Sequence, residues 1–146
     1  MAAPMRLHVY VAGTAVLAVG CVLWALPRVA LLPVLAVVLA VTVAEQFATM
    51  VRDKVAVSLT NVVALVAIVL GGPALAVIGT LGAIPIYARR SSPPLRVTNT
   101  VFNSSMLPLS AAAGGLTYQL LLTHLDGAFP DWRSLLAITA AAAVYS

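Results

Sequence analysis

The chain has 146 residues, 62% of them hydrophobic and 8% charged, with a mean hydropathy of +1.08 and a formal net charge of +4. A soluble domain carries about 25% charged residues, and at ~150 residues it still leaves about a third of its surface in water, so this composition excludes water as the main solvent and implies a lipid bilayer. The bases stand singly or in small groups between apolar runs, with no basic helix and no aromatic-basic platform, which argues against nucleic acid as a partner.

Six apolar runs, at about 7–26, 29–50, 55–70, 73–88, 101–123 and 135–146, predict an all-α fold, a polytopic transmembrane bundle forming one membrane domain over 1–146. None alternates with period two, so the runs do not read as barrel strands. The first run follows Arg6, and its Ala18-Val19-Gly20-Cys21 stretch loosely resembles a lipoprotein cleavage box. It continues as Val22-Leu23-Trp24-Ala25-Leu26 and exceeds the ~7–15 residues of a signal h-region, so a spanning helix is expected, not a cleaved leader. Cys21 is the single cysteine, which excludes an intramolecular disulfide.

The third and fourth runs hold about 16 residues each, or ~24 Å at 1.5 Å per residue, short of a ~30 Å hydrocarbon core. Gly71-Gly72-Pro73 between them predicts a tight turn in a helical hairpin that is either fully spanning or re-entrant. Gly72, Ala76, Gly79 and Ala83 share one helical face, as do the pairs Ser110 with Gly114 and Ala111 with Gly115. Such faces allow close backbone approach and are expected as packing seams, with a homodimer as one outcome. The last run is about 12 residues, too few to span, and reads as a truncated helix.

Orientation follows from the short-loop bases. With the N-terminus inside, Arg6, Arg52, Lys54, Arg89, Arg90 and Arg96 are cytoplasmic, and only Arg28 and Arg133 are outside. The expectation is a multi-pass protein of the bacterial inner membrane with a cytoplasmic N-terminus and, after six helices, a cytoplasmic C-terminus.

Polar groups inside apolar runs are costly and form the candidate list. Glu45, beside Gln46, is expected as an interfacial carboxylate paired with Arg52 or Lys54. Ser58, Thr60 and Asn61 in the third run, and Asn103, Ser104, Ser105, Ser110, Thr117, Tyr118 and Gln119 in the fifth, are expected to hydrogen-bond between helices at about 1 kcal/mol or less each. Asn61 and Asn103 should sit within or near the bundle. Arg96, Asn99 and Asn103, spaced by three and four, would share a helix face, with Arg96 anchoring the helix start on lipid phosphate. His8 and His124 are too far apart for one metal site, and Asp126 and Asp131 beside Gly127 and Pro130 are turn chemistry. No nucleophile elbow, P-loop, dinucleotide fingerprint or zincin motif is present, and no catalytic residue, metal or cofactor is expected in this chain.

Two stretches carry a resemblance. Val57-Ser58-Leu59-Thr60-Asn61 leads to Leu70-Gly71-Gly72-Pro73-Ala74-Leu75-Ala76, and Arg96-Val97-Thr98-Asn99-Thr100-Val101-Phe102-Asn103 leads to Ala113-Gly114-Gly115-Leu116-Thr117-Tyr118-Gln119. Over roughly 29–146 the chain resembles the multi-helix N-terminal membrane region of bacterial HD-domain phosphohydrolases and of related GGDEF-type signalling proteins. The resemblance implies a membrane sensor or anchor region whose output domain, a metal-dependent phosphohydrolase in the HD case, follows in the cytoplasm. The chain has neither the His-Asp pair of the HD type nor a Gly-Gly-Asp-Glu-Phe stretch, so no catalytic residue carries over. The competing expectation is a small transport subunit that binds a solute in the helix bundle.

Overall fold

The computed structural model describes residues 2–47, 49–51, 55–57, 59–90, 96–125 and 132–145. The fold is all-α in class with one short β ribbon. Its elements are α1 (Ala2–Ala25), α2 (Leu31–Gln46), β1 (Thr49–Val51), β2 (Val55–Val57), α3 (Thr60–Gly79), α4 (Ile84–Arg90), α5 (Arg96–Leu125) and α6 (Trp132–Tyr145).

Several boundaries differ from the sequence expectation, each for a physical reason. The helix expected over 29–50 ends at Gln46, and the one expected over 55–70 begins at Thr60. Between them the chain pairs as an antiparallel ribbon, with Thr49 opposite Val57, Met50 opposite Ala56 and Val51 opposite Val55. Thr and Val, β-branched and at home on a pleated strand, supply the residues that a ruler based on hydrophobicity alone assigns to helix. The helix expected over 73–88 is broken by a 3-10 turn at Thr80–Ala83 and restarts at Ile84, with Pro85 in its first turn where a missing N–H costs nothing. Helix α5 begins at Arg96, earlier than the expected 101, because the polar Thr98, Asn99 and Thr100 are helical too.

The path of residues 60–90 decides the architecture. By length and composition, two stretches among the described residues could cross a membrane, Leu7–Arg28 and Thr60–Arg90. A straight helix of 31 residues would hold its ends about 46 Å apart. Yet the Thr60 hydroxyl and the Arg90 guanidinium both reach the carboxylate of Glu45. Thr60–Arg90 is therefore a hairpin and not one rod. Its reversal is at Gly72 (φ 79°, ψ 177°), a conformation that only glycine adopts readily, and Pro73 then starts the return arm. The outgoing arm, residues 60–71, is about 18 Å long and the return arm, residues 73–90, about 27 Å.

Contacts along α2 fix the directions. Gly79 lies against Val37, Gly82 against Val38 and Thr42, and Arg90 against Gln46, so the return arm runs parallel to α2 and the outgoing arm antiparallel to it. Helix α1 leads into α2 through Leu26–Arg28 and two further residues, and the Tyr10 ring near its start packs 5.8 Å from the Phe102 ring near the start of α5. At the other end of the hairpin, Pro73 packs on Gly115 of α5, and Gly72 lies beside the Gln119 amide. The core joins Ala64, Ala67 and Ile68 of the outgoing arm, Ala74 to Ile78 of the return arm, Ala111 and Ala112 of α5, and Ala137 and Ala141 of α6.

Of the small residues whose spacing marks a packing seam, Gly79 and Gly115 lie at such crossings, and Gly82, outside that spacing, lies at a third. A Cβ on Gly79 would strike the Val37 side chain, one on Gly82 the Val38 carbonyl, and one on Gly115 the Pro73 ring. Gly13 has nothing within 4 Å of that position. Overpacking of a tight core costs typically about 1–3 kcal/mol. Gly82→Val and Gly115→Val are therefore expected to lower the thermal midpoint of the detergent-solubilised protein clearly, while Gly13→Ala leaves it unchanged or raises it. Equal midpoints for Gly82→Val and Gly13→Ala would show that the hairpin does not pack on α2 in this way.

Candidate functional site

Glu45 ends α2 and is 3% exposed, although it is a carboxylate in a strongly apolar chain. Burial of a bare carboxylate is prohibitive, so its partners decide whether the helix end is stable. The Thr60 hydroxyl, itself 1% exposed, donates to Oε2 at 2.6 Å. The Arg90 guanidinium stands 3.8 Å from Oε1 and donates to the Gln46 carbonyl at 3.4 Å. That second bond addresses the C-terminal carbonyls of α2, which have no helical donors and carry the negative end of the helix dipole. Tyr87, one turn before Arg90 on α4, is in electrostatic reach of both charges.

The described contacts of Thr60 and Arg90 with Glu45 are unequal. A hydrogen bond to an ionised group is worth about 1.5–3 kcal/mol when buried, and the Thr60 bond is short with both partners buried. The Arg90 side chain is 45% exposed and its contact is long, so solvent screening leaves it about 1 kcal/mol or less. The hydroxyl thus holds the carboxylate, and the guanidinium chiefly ties α4 to the end of α2.

The expected partners of Glu45 were Arg52 and Lys54. These lie outside the described residues, and the base found beside it is Arg90, far along the chain. Asn61, Asn99 and Asn103 are exposed on helix surfaces and not within the bundle. Arg96 opens α5, and with Asn99 and Asn103 it follows one helical face, though nothing is described of the Arg96 side chain. Tyr118 is buried at 4% in the core, whereas Gln119 is exposed with its amide against Gly72.

Of the hydroxyls expected to bridge helices, those of Ser105 and Thr117 donate instead to carbonyls four residues back, and those of Thr14, Thr80, Thr123 and Thr139 likewise bond three or four residues back in their own segment. Thr42 and Thr60 are the bridging cases among the described bonds. The Thr42 Oγ1 lies 2.8 Å from both the Val38 and the Gly82 carbonyl oxygens, and its single proton serves one of them at a time. Among the described residues, no group of three or more His, Cys, Asp or Glu side chains could hold a metal ion. His124 Nδ1 lies 2.7 Å from the Leu120 carbonyl.

Sequence reasoning singled out Glu45 as a costly intramembrane group, but missed Arg90 as its partner and gave Thr60 no special place. Each had been read by local rules, Arg90 as a topology charge and Thr60 as helix glue, and only the hairpin brings them together. Thr60→Val is expected to destabilise the fold by about 1.5–3 kcal/mol and Arg90→Gln by about 1 kcal/mol or less. Thermal unfolding in detergent checks the order; a larger loss in Arg90→Gln would reverse the assignment of which partner holds the carboxylate.

No protein-family model, curated protein or solved structure matches the chain, so its function is argued from this geometry.

Proposed function

We propose that the chain is a polytopic bundle of about six helices in the bacterial inner membrane, N-terminus cytoplasmic, and that it is the sensor or anchor region of a signalling protein with an HD-type cytoplasmic output domain. The observation that carries the membrane part is the division of charge. Among the described residues, Arg6 in the first turns of α1, Glu45, Arg89, Arg90 and Arg96 lie at one end of the bundle, four bases against one acid. Arg28 and Arg133 lie at the other. The surplus of bases at the first end supports an orientation with that end in the cytoplasm.

Between the ends, large aliphatic side chains point outward. Val16 is 71% exposed, Leu32 79%, Leu39 65% and Leu70 79%, a cost of roughly 25 cal/mol per Å² in water that vanishes in lipid. Arg28 stacks over the Trp24 ring at 4.7 Å and donates to the Trp24 carbonyl, the pairing of aromatic and base that suits a membrane–water boundary. The sensor or anchor role rests on the sequence resemblance and on an end of the bundle where α2, the hairpin feet and the start of α5 meet. A solute carrier would need polar groups converging inside the bundle, and Asn61 and Asn103 face outward instead.

Reporter fusions test the topology. Fusions after Lys54 and Arg90 are expected to score cytoplasmic, and those after Pro27 and Asp126 external; the opposite pattern would place the output domain on the wrong side. The output domain is tested by the reading frame, which is expected to continue beyond Ser146 into an HD-type domain, and a stop codon there with no neighbouring output domain would end the sensor reading.

A further inference from the structure

Two neighbouring helices are weakened at one level of the bundle. The return arm passes through the 3-10 turn at Thr80–Ala83 before α4 begins, and α5 carries Pro108 in its interior. Pro73 packs on Gly115, and seven residues further along each antiparallel helix, about 10 Å away, Thr80 comes level with Pro108. The turn and α5 are in contact. A 3-10 turn inside a helical path has poorer hydrogen bonds than the α-helix on either side, and a proline leaves the carbonyl four residues back, here that of Ser104, without its helical donor. Burial falls at the same level. Ten of the eleven residues 73–83 are buried, against Ile86 alone in α4; in α5, six of the eleven residues 108–118 are buried, against Ser105 alone in 97–107. We propose that α4 and the first half of α5, residues 84–90 and 96–107, swing as one lever on these two hinges, latched shut at its tip by Arg90.

The lever rests on the membrane reading above for the medium around the bundle, and it gives the sensor role a moving part at the end assigned to the cytoplasm. Its two helices pack on each other, so they move together. The latch is light. The Arg90 guanidinium is 45% exposed, 3.8 Å from Glu45 and 3.4 Å from the Gln46 carbonyl, and solvent screens both contacts. At the first hinge, the Thr42 hydroxyl lies 2.8 Å from the Gly82 carbonyl and 2.8 Å from that of Val38, so it keeps a partner in its own helix when the turn moves away. At the second, the buried Ser104 hydroxyl has no hydrogen-bond partner among the described residues, and the carbonyl of the same residue is the one that Pro108 leaves without a donor. Neither group of Ser104 ties the two halves of α5 together. A light latch at the tip and two hinges with little to break give an element with two positions that a small bias can shift.

The test is hydrogen exchange of the whole chain in nanodiscs of phosphatidylglycerol and phosphatidylcholine, read by mass spectrometry over four segments. Residues 84–90 and 96–107 are expected to exchange through one common opening, faster than 73–79 and 109–118. Arg90→Gln is expected to speed both lever segments by the same factor, up to about fivefold, as fits loss of a screened ion pair, and to leave the other two segments unchanged. A change confined to 84–90 is fraying of α4, and a change spread over all four segments is general loosening; either result overturns the proposal. Should Arg90→Gln fail to fold, the wild type decides, since added salt weakens an exposed latch. Salt is expected to speed 84–90 and 96–107 together, and rates there that ignore it sink the lever. A chain that alkaline carbonate washes from bilayers refutes the membrane reading itself; a chain that stays but shows no common opening refutes the lever alone.

Discussion

Both feet of the hairpin meet on one carboxylate. Glu45 takes the Thr60 hydroxyl on one oxygen and faces the Arg90 guanidinium with the other. The outgoing and return arms are therefore closed at the same end of the bundle. Everything downstream depends on that closure. Because residue 90 returns to the level of Gln46, the short link to Arg96 starts α5 at the same end, and α5 then runs antiparallel to the return arm until Gly115 meets Pro73. The reversal at Gly72 and the closure at Glu45 are two halves of one constraint: the turn directs the arm back, and the carboxylate fixes where it arrives.

The distribution of polar chemistry reflects this closure. Away from the Glu45 end the core is built largely on alanine, with Ile68, Leu75, Val77, Ile78 and Tyr118 among it, and close approach at Gly79, Gly82 and Gly115 lets the backbones meet. Among the described bonds, the hydroxyls of Thr42 and Thr60 reach across to another element, while those of Thr14, Ser105, Thr117, Thr123 and Thr139 bond back to their own helix.

Composition and apolar runs were enough to read the helical class and the Gly71-Gly72-Pro73 turn, because each depends on neighbours in sequence. The ends of runs were less legible. Met50, Val55 and Val57 are as hydrophobic as helix residues, and pairing across the Arg52-Asp53-Lys54 connection decides their conformation. Thr98 and Asn99 have the polarity of a loop, yet the apolar helix that begins at Val101 extends back through them to Arg96. At the site, Glu45 was legible as an anomaly, since a carboxylate in an apolar run is costly by itself. Its partners were not, because their approach is set by the hairpin, and no local spacing encodes a contact between residues 45 and 90. Asn61 and Asn103 misled for the converse reason: amide chemistry says nothing of which way a helix face turns.

Helix α1 is attached differently from the rest. Its buried residues are Val11, Thr14, Ala18 and Ala25, a narrow stripe of short side chains at spacings of three, four and seven, while Val9, Val16, Leu17 and Leu23 turn away from the bundle. Over its most apolar window α1 is 17% buried, against 56% for Thr60–Arg90, so fewer atoms in contact resist its separation from the bundle. The amides of α1 are therefore expected to exchange with solvent deuterium through an opening that leaves the hairpin and α5 intact, at a lower free energy than global unfolding. The first helix is in this sense a separable stave: the bundle can lose its grip on it and keep its shape.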